Sequence, residues 1–270
     1  MRRNGTSGRN LLLFLVLLLL QSGCASKIPS TLPLAESEKV SVLDRLREFQ
    51  GRNCSQSLDA DVTLEWLIYG KTEKIPGLLQ LQSPAFLRYA VVDPLGRQLF
   101  ILVSDGISFT LVDNRNAKAL IGQVDSQFWK KYIPGFVIPT QYLSWLTGRL
   151  PAGDFKTGEI RADKRSVDAV WLITGWNDAI RHHVLFSPEA GQVLRHIIEG
   201  GNHEILLDVV YSDYDSTDQG CAPPHRLQVE GAGISGTVTL LFEEIFPAAP
   251  IPRGIFHLTL PDHFTVSPVE

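Results

Sequence analysis

The sequence is poor in cysteine, with three residues in 270, and has no excess of positive charge: 25 lysines and arginines face 29 acids, a formal net charge of −4. A balance of that sign leaves no electrostatic footprint for nucleic acid. The longest apolar run, Leu11 to Leu20, falls short of the roughly 20 residues that a membrane-spanning helix requires. A G-x-S-x-G nucleophile elbow is also missing, since Gly233-Ile234-Ser235-Gly236 lacks the spacing, and hydrolase chemistry is left without a positive motif. Asp213, Asp215, Thr217, Asp218 and Gly220 fail as a calcium loop, because Asp218 stands where the loop needs glycine and no glutamate closes it. His182 and His183 are neighbours in a strand-like run, point to opposite faces and cannot share one metal through that strand; His196, His203, His225, His257 and His263 are scattered and read as surface or strand residues. Neither a metal nor a cofactor is called for. What remains, 44% hydrophobic and 20% charged, is the composition of a globular protein with one sizeable core.

The apolar run has a different meaning at the N-terminus. Arg2, Arg3 and Arg9 precede it, and Gln21-Ser22-Gly23-Cys24 follows, which together read as a secretory signal over residues 1–23 whose Cys24 is acylated as the new N-terminus. Gln21 stands where lipoprotein signals usually carry an aliphatic residue, with Leu20 one place earlier; the alternative is cleavage by the ordinary signal peptidase, leaving Cys24 a plain thiol. Removing residues 1–23 takes three basic residues and no acid, leaving 22 against 29, a net charge of −7. That charge argues against a polybasic membrane patch, so attachment would rest on acyl chains, two or more of which hold stably. Cys54 and Cys221 form an even pair in an oxidising compartment, for which a disulfide is the default and two separate thiols the alternative.

Residues 24–36 are small and polar with Pro29 and Pro33 and read as a tether. Helical spacing of Val42, Leu43, Leu46 and Phe49 predicts a helix over 41–49, capped by Ser41 with Asp44 and ended by Gly51. From Ala60 the period is that of strands, expected at 62–69, 78–82, 86–92, 98–104, 108–112 and 118–122. A helical interlude follows at 126–132 and 140–146, then strands at 155–160, 169–174, 179–186, 193–199, 204–211, 226–230, 237–242 and 256–260. Compact turns make these consecutive antiparallel hairpins. The expected fold is therefore mainly β, a single domain over 37–270 whose sheet is too wide for side chains alone to fill if it curls into a barrel. Trp66, Tyr69, Phe86, Tyr89, Phe100 and Phe109 either line the resulting apolar cavity or fill a conventional core. The helical pair, rich in Phe128, Trp129, Tyr132, Leu143, Trp145 and Leu146, suits a cover over an apolar opening as well as an ordinary helix on a sheet.

Two segments resemble the family of the outer-membrane lipoprotein receptor of the Lol sorting pathway, LolB. The first is Asp93-Pro94-Leu95-Gly96 with Leu99, Ser104-Asp105-Gly106 and Thr110-Leu111-Val112-Asp113, similar to that family's strand, loop, strand, turn and strand. The second is Ile138-Pro139 with Leu143, Trp145, Gly148, Leu150 and Pro151, similar to its lid segment. Together they cover roughly a third of the chain. The resemblance implies an unclosed antiparallel β-barrel with a helical lid, Pro139, Leu143, Trp145 and Leu146, over an apolar cavity. It further implies that Pro94, Leu95 and Gly96 form a membrane-insertion loop whose leucine protrudes, although Leu95 folded back on the sheet edge is the alternative. The partners implied are the acyl chains of lipoproteins, a periplasmic lipoprotein carrier, and the inner leaflet of the outer membrane, which the protein would face from the periplasm on its lipid anchor. The segment 212–252 and the cysteine pair depart from the family pattern. A carrier needs no catalytic residue. Its rivals are a structural or assembly lipoprotein of the same fold that binds a protein partner, a carrier of another envelope lipid, and an enzyme acting on envelope lipids or glycans.

Overall fold

The structure, a computed structural model, describes residues 28–133, 135, 137–150, 158–177, 180–215, 221–232, 234–247 and 249–270. The signal segment 1–23, Cys24, Pro151, Thr217, Asp218, Gly220 and Gly233 lie outside the described residues. Thr31–Glu270 forms one compact unit. Its strands join a single sheet: β1 (Thr31–Pro33), β2 (Ser57–Ile68), β3 (Lys71–Gln82), β4 (Phe86–Val92), β5 (Gln98–Ser104), β6 (Ser108–Asp113), β7 (Lys118–Gln123), β8 (Glu159–Asp163), β9 (Val170–Asn177), β10 (Ile180–Ser187), β11 (Gln192–Gly200), β12 (Ile205–Tyr214), β13 (Pro224–Glu230), β14 (Thr237–Ile245) and β15 (Thr265–Val269). The spatial order is β1-β8-β9-β10-β11-β12-β13-β14-β2-β3-β4-β5-β6-β7-β15, so β1 and β15 are the two free edges and the sheet does not close into a barrel. Every pairing is antiparallel except that of β15 with β7. Among the described residues the helices are α1 (Glu36–Gln50), α2 (Gln127–Lys130) and α3 (Tyr142–Leu146), with 3₁₀ turns at Pro139–Gln141 and Arg253–Phe256.

Several boundaries differ from the sequence expectation, and four differences have a physical reason in the pairing and packing. β2 and β3 pair from Ser57↔Gln82 to Ile68↔Lys71, far beyond 62–69 and 78–82, because the polar stretch Lys71–Lys74 shows no apolar alternation and its pairing is supplied by β2. Pro76, which argues against strand, stands just past Gly77, the last β3 residue paired with β4, where a proline is tolerated. Helix α1 begins at Glu36 and not at Ser41: Glu38 accepts a 3.1 Å hydrogen bond from the Ala35 N–H and satisfies an otherwise orphaned donor. The tether ends earlier than residue 36, since Thr31–Pro33 pair with Arg161–Asp163 as an edge strand. Residues 256–260 form no strand; Leu258, Leu260 and Phe264 cross the sheet and pack on Ala90, Ile101, Val103, Val112 and Ala119, after which the chain turns into β15.

That crossing defines an outer face. The other, inner face carries Leu58, Ala60, Val62, Leu79, Leu81, Leu87, Val184, Leu207 and Leu227 against Val42, Leu46 and Phe49 of α1, and against Trp129, Tyr142 and Trp145 of α2 and α3. Cys54 and Cys221 are joined, with Cα atoms 5.4 Å apart, which ties the segment after α1 to the approach to β13.

Candidate functional site: an apolar trough with an exposed leucine at its rim

The hairpin turns alternate between two ends of the sheet. One end, the rim, carries Tyr69-Gly70, Asp93–Arg97 and Asn114–Ala117; the other carries Asp105–Ile107 and the disulfide. The helices occupy the trough toward the disulfide end. There Phe109, at the start of β6, is fully buried with its ring 4.8 Å from Trp129 and 5.8 Å from Phe128. Ser126 caps α2 by accepting the Trp129 N–H at 3.2 Å. The turn after α3 is held by Arg149, which donates to the carbonyls of Ser55 at 2.9 Å and Cys221 at 3.2 Å, one beside each disulfide cysteine. Next to these anchors is a cavity of about 320 Å³ with a mixed lining, polar at Asn53, Ser55 and Arg149 and apolar at Leu58, Ile245 and Phe246.

Toward the rim the inner face changes character. Leu64, Ile75, Tyr89, Phe100, Leu102 and Leu240 face inward by register, since Leu64 opposes both Ile75 and Leu240 and Tyr89 opposes Leu102, yet they remain half-buried. This half-covered wall leaves apolar side chains partly open to solvent. Gly77 shapes it: a Cβ there would lie 2.7 Å from the Ala90 carbonyl oxygen and 2.8 Å from the Tyr89 ring, so the missing side chain lets Tyr89 lie flat across β3. Burial raises the Tyr89 hydroxyl to about 12, which keeps it neutral.

The six cavity candidates thus separate, and Tyr69 is a correction: it is fully exposed at the β2–β3 hairpin tip, neither in the wall nor in the core. Tyr89 and Phe100 belong to the half-covered wall, and Phe100 carries the Arg115 guanidinium 4.6 Å above its ring. Trp66 lies on the same face at the rim, 38% exposed, with its indole N–H donating to the Ser235 carbonyl at 2.8 Å. Phe109 fills the core beneath α2. Phe86 is a correction: it points to the outer face, 5.3 Å from Phe256 of the C-terminal strap, because it shares the strand phase of Ala90 and not that of Leu87 and Tyr89.

Leu95 is 79% exposed at the rim and does not fold back on the sheet. The turn beneath it is closed by Asp93, whose Oδ1 accepts the N–H groups of Leu95 and Arg97, both at 2.9 Å, while the Arg97 Nε donates to Oδ2 at 2.7 Å. The Arg97 N–H and guanidinium, with the Leu95 N–H, hold the Asp93 carboxyl below the usual carboxylate range. Gly96 supplies the positive φ of +77° that completes the reversal. The turn is closed by these bonds, and its leucine stands out into solvent.

The expected cover is a short one. Pro139 opens the 3₁₀ turn against the β5–β6 turn at Gly106, Leu143 and Leu146 are half-buried, and Trp145 is buried with its indole stacked on His196 at 4.2 Å and 10°. His196, read from the sequence as a surface or strand residue, is a strand residue of β11, buried and 2.8 Å from His182 on the inner face. Burial, with His183 adding repulsion, lowers His182 to about 4, and burial likewise holds His196 well below its ordinary value, so both are neutral at pH 7. His183 points outward to Glu199, 2.6 Å away. The signal for His196 was its place on the inward phase of an apolar strand. Its partner depends on the β10–β11 register, which sequence does not give. Among the described residues no group of three or more His, Cys, Asp or Glu is placed to hold a metal ion, and no helix is long and apolar enough to cross a membrane.

The sequence matches no protein-family model and no curated protein. Solved structures do match. A LolA superfamily protein from Nitrosomonas europaea aligns with a TM-score of 0.54 at 15% identity, covering 81% of this chain and 97% of its own. A DUF1329 family protein from Desulfovibrio piger aligns with a TM-score of 0.54 at 9% identity, covering 81% and 96% respectively. At these identities the likeness is one of fold. The chain has a LolA-like fold, a mostly antiparallel sheet that does not close into a barrel.

Proposed function

We propose that the trough receives the acyl chains of lipoproteins from a periplasmic carrier and that the protein, held on the outer membrane by an acylated Cys24, delivers them to the inner leaflet. The observation that carries this reading is the half-covered apolar wall of Leu64, Tyr89, Phe100 and Leu240 beside an exposed Leu95 at the same end of the sheet. Binding by burial gives about 0.8 kcal/mol per CH₂, strong but without preference among cargoes, and needs no catalytic group. Helices α2 and α3, with Pro139, Leu143, Trp145 and Leu146, occupy the inner half of the trough. Their outward shift would lengthen the apolar channel, as a lid does. Leu95 is the bilayer contact in this account: an aliphatic side chain enters the interface readily and a carboxylate does not.

The test is transfer of a fluorescent diacylated peptide from a soluble donor to vesicles by the full chain. Leu95→Glu should load the peptide normally and fail to deliver it. Unchanged delivery would remove Leu95 from the mechanism, and failure of the unaltered chain to load would overturn the carrier reading.

A further inference from the structure

We infer that the β2–β3 hairpin tip, Tyr69-Gly70, is a second bilayer contact that works beside Leu95; the inference rests on the reading of Leu95 as a membrane contact and extends it. Tyr69 is fully exposed, at 100%, and its φ is +49°, with +76° at Gly70. Such a two-residue turn calls for Asn, Asp or Gly at its first position, since Gly has no Cβ to clash and the short polar side chains of Asn and Asp offset the strain by local hydrogen bonds, which a tyrosine ring does not. The sequence places a tyrosine in that strained position, where it packs on nothing within the fold. No folding gain explains the aromatic ring, so its use lies outside the fold.

Position and charge choose the occupant. Residues Lys71–Pro76 pair with β2 alone, so the hairpin projects past the end of β4 at the same end of the sheet as Leu95. The tips also sort their charges. Lys71, Arg97, Arg115 and Lys118 are exposed, Arg97 and Arg115 as the ion-pair partners of Asp93 and Asp113, whose own side chains are turned back into their turns at 12% and 22% exposure, and Glu73 is the outward acid on the three tips. An amphipathic ring and an aliphatic side chain bordered by outward cations fit the headgroup layer of a bilayer containing anionic lipid, where tyrosine concentrates. The whole chain is acidic, so this local sorting runs against its average.

The experiment places an environment-sensitive dye on the acylated full chain through Tyr69→Cys, Leu95→Cys or Ile107→Cys, with the Cys54–Cys221 bond intact. Ile107 is 72% exposed at the opposite end and serves as the control. Vesicles of phosphatidylethanolamine and phosphatidylglycerol should shift the emission at positions 69 and 95 to the blue and leave 107 unchanged. A shift at 95 alone would overturn the second contact and leave the first standing; no shift at either would overturn both. A dye at 69 that stays in water with vesicles and is buried only by a loaded carrier protein would assign the tip to a protein partner and overturn the proposal. Tyr69→Asn, which suits the turn, should leave the melting temperature unlowered while slowing delivery, and Tyr69→Trp should restore it. Delivery unchanged in Tyr69→Asn would contradict the inference.

Discussion

The Trp145 indole lies flat on the His196 imidazole, ring centres 4.2 Å apart and planes within 10°, so the buried face of α3 rests on a neutral histidine of β11. His196 in turn shares a hydrogen bond with His182. A proton on either ring would place a charge in an apolar interior beside a second imidazole.

The pH dependence follows in sign from that pair. The folded value of His182, about 4, lies below the unfolded 6.5, so the unfolded chain binds more protons between them and stability falls as pH is lowered through that window. The fall attributable to His182 is about 3 kcal/mol at one proton and 2.5 pH units. His196 acts in the same direction. His225, raised by the Phe242 carbonyl and Asp215, acts weakly in the opposite one. Urea titrations at pH 7 and pH 5 should show lower stability at pH 5, and His182→Gln/His196→Gln should flatten the difference. An unchanged slope in the double variant would exclude the pair.

The disulfide closes a loop with a sequence separation of 167, and the chain-entropy treatment assigns it about 5 kcal/mol. Cys54→Ala/Cys221→Ala should lose most of that in denaturant titration. It should also loosen the turn after α3, because Arg149 bonds the carbonyls of Ser55 and Cys221. Faster hydrogen exchange at Thr147 and Arg149 than elsewhere in the double variant would register that loosening.

Gly77→Ala is expected to destabilise by about 1–3 kcal/mol, because overpacking has no free space to enter between the Ala90 carbonyl and the Tyr89 ring. Its second effect is on the site. Tyr89 must lift off β3, and acyl-probe affinity should drop with it, whereas a melting temperature equal to the unaltered chain would show that the ring already has room to move.

Phe109→Ala and Leu95→Glu form a contrasting pair. The first empties a fully buried position beneath Trp129 and should cost about 3–5 kcal/mol. The second changes an exposed tip and should move stability by no more than about 0.5 kcal/mol. Thermal melts of both decide whether Leu95 is free of the core; a large loss in Leu95→Glu would return it there.

What was legible in the sequence is what depends on local chemistry. The Asp93-Pro94-Leu95-Gly96 turn could be placed between two strands because proline and glycine fix its angles, and most hairpins from β4 to β14 follow their turn residues. What depended on distant partners was hidden. Lys71–Lys74 extend β3 only because β2 pairs with them, and β15 lies beside β7 only because the strap at Leu258 and Leu260 covers the outer face. The aromatic candidates were identified by type, but a one-residue difference in strand phase sends Phe86 outward and Tyr89 inward. His196 is a strand residue, one of the two readings open in the sequence, but its burial is set by the register and by Trp145, neither of which a single strand reveals.

The central claim is that the trough holds acyl chains, and its most direct test is photo-crosslinking. Palmitate carrying a terminal diazirine is bound to the full chain, irradiated, and its adducts mapped by mass spectrometry with and without excess unlabelled palmitate. The account predicts saturable adducts on peptides containing Tyr89, Phe100, Leu102 and Leu240, and their loss in the competed sample. Adducts confined to the outer face around Phe86 and Phe256, or labelling that palmitate does not compete, would contradict it.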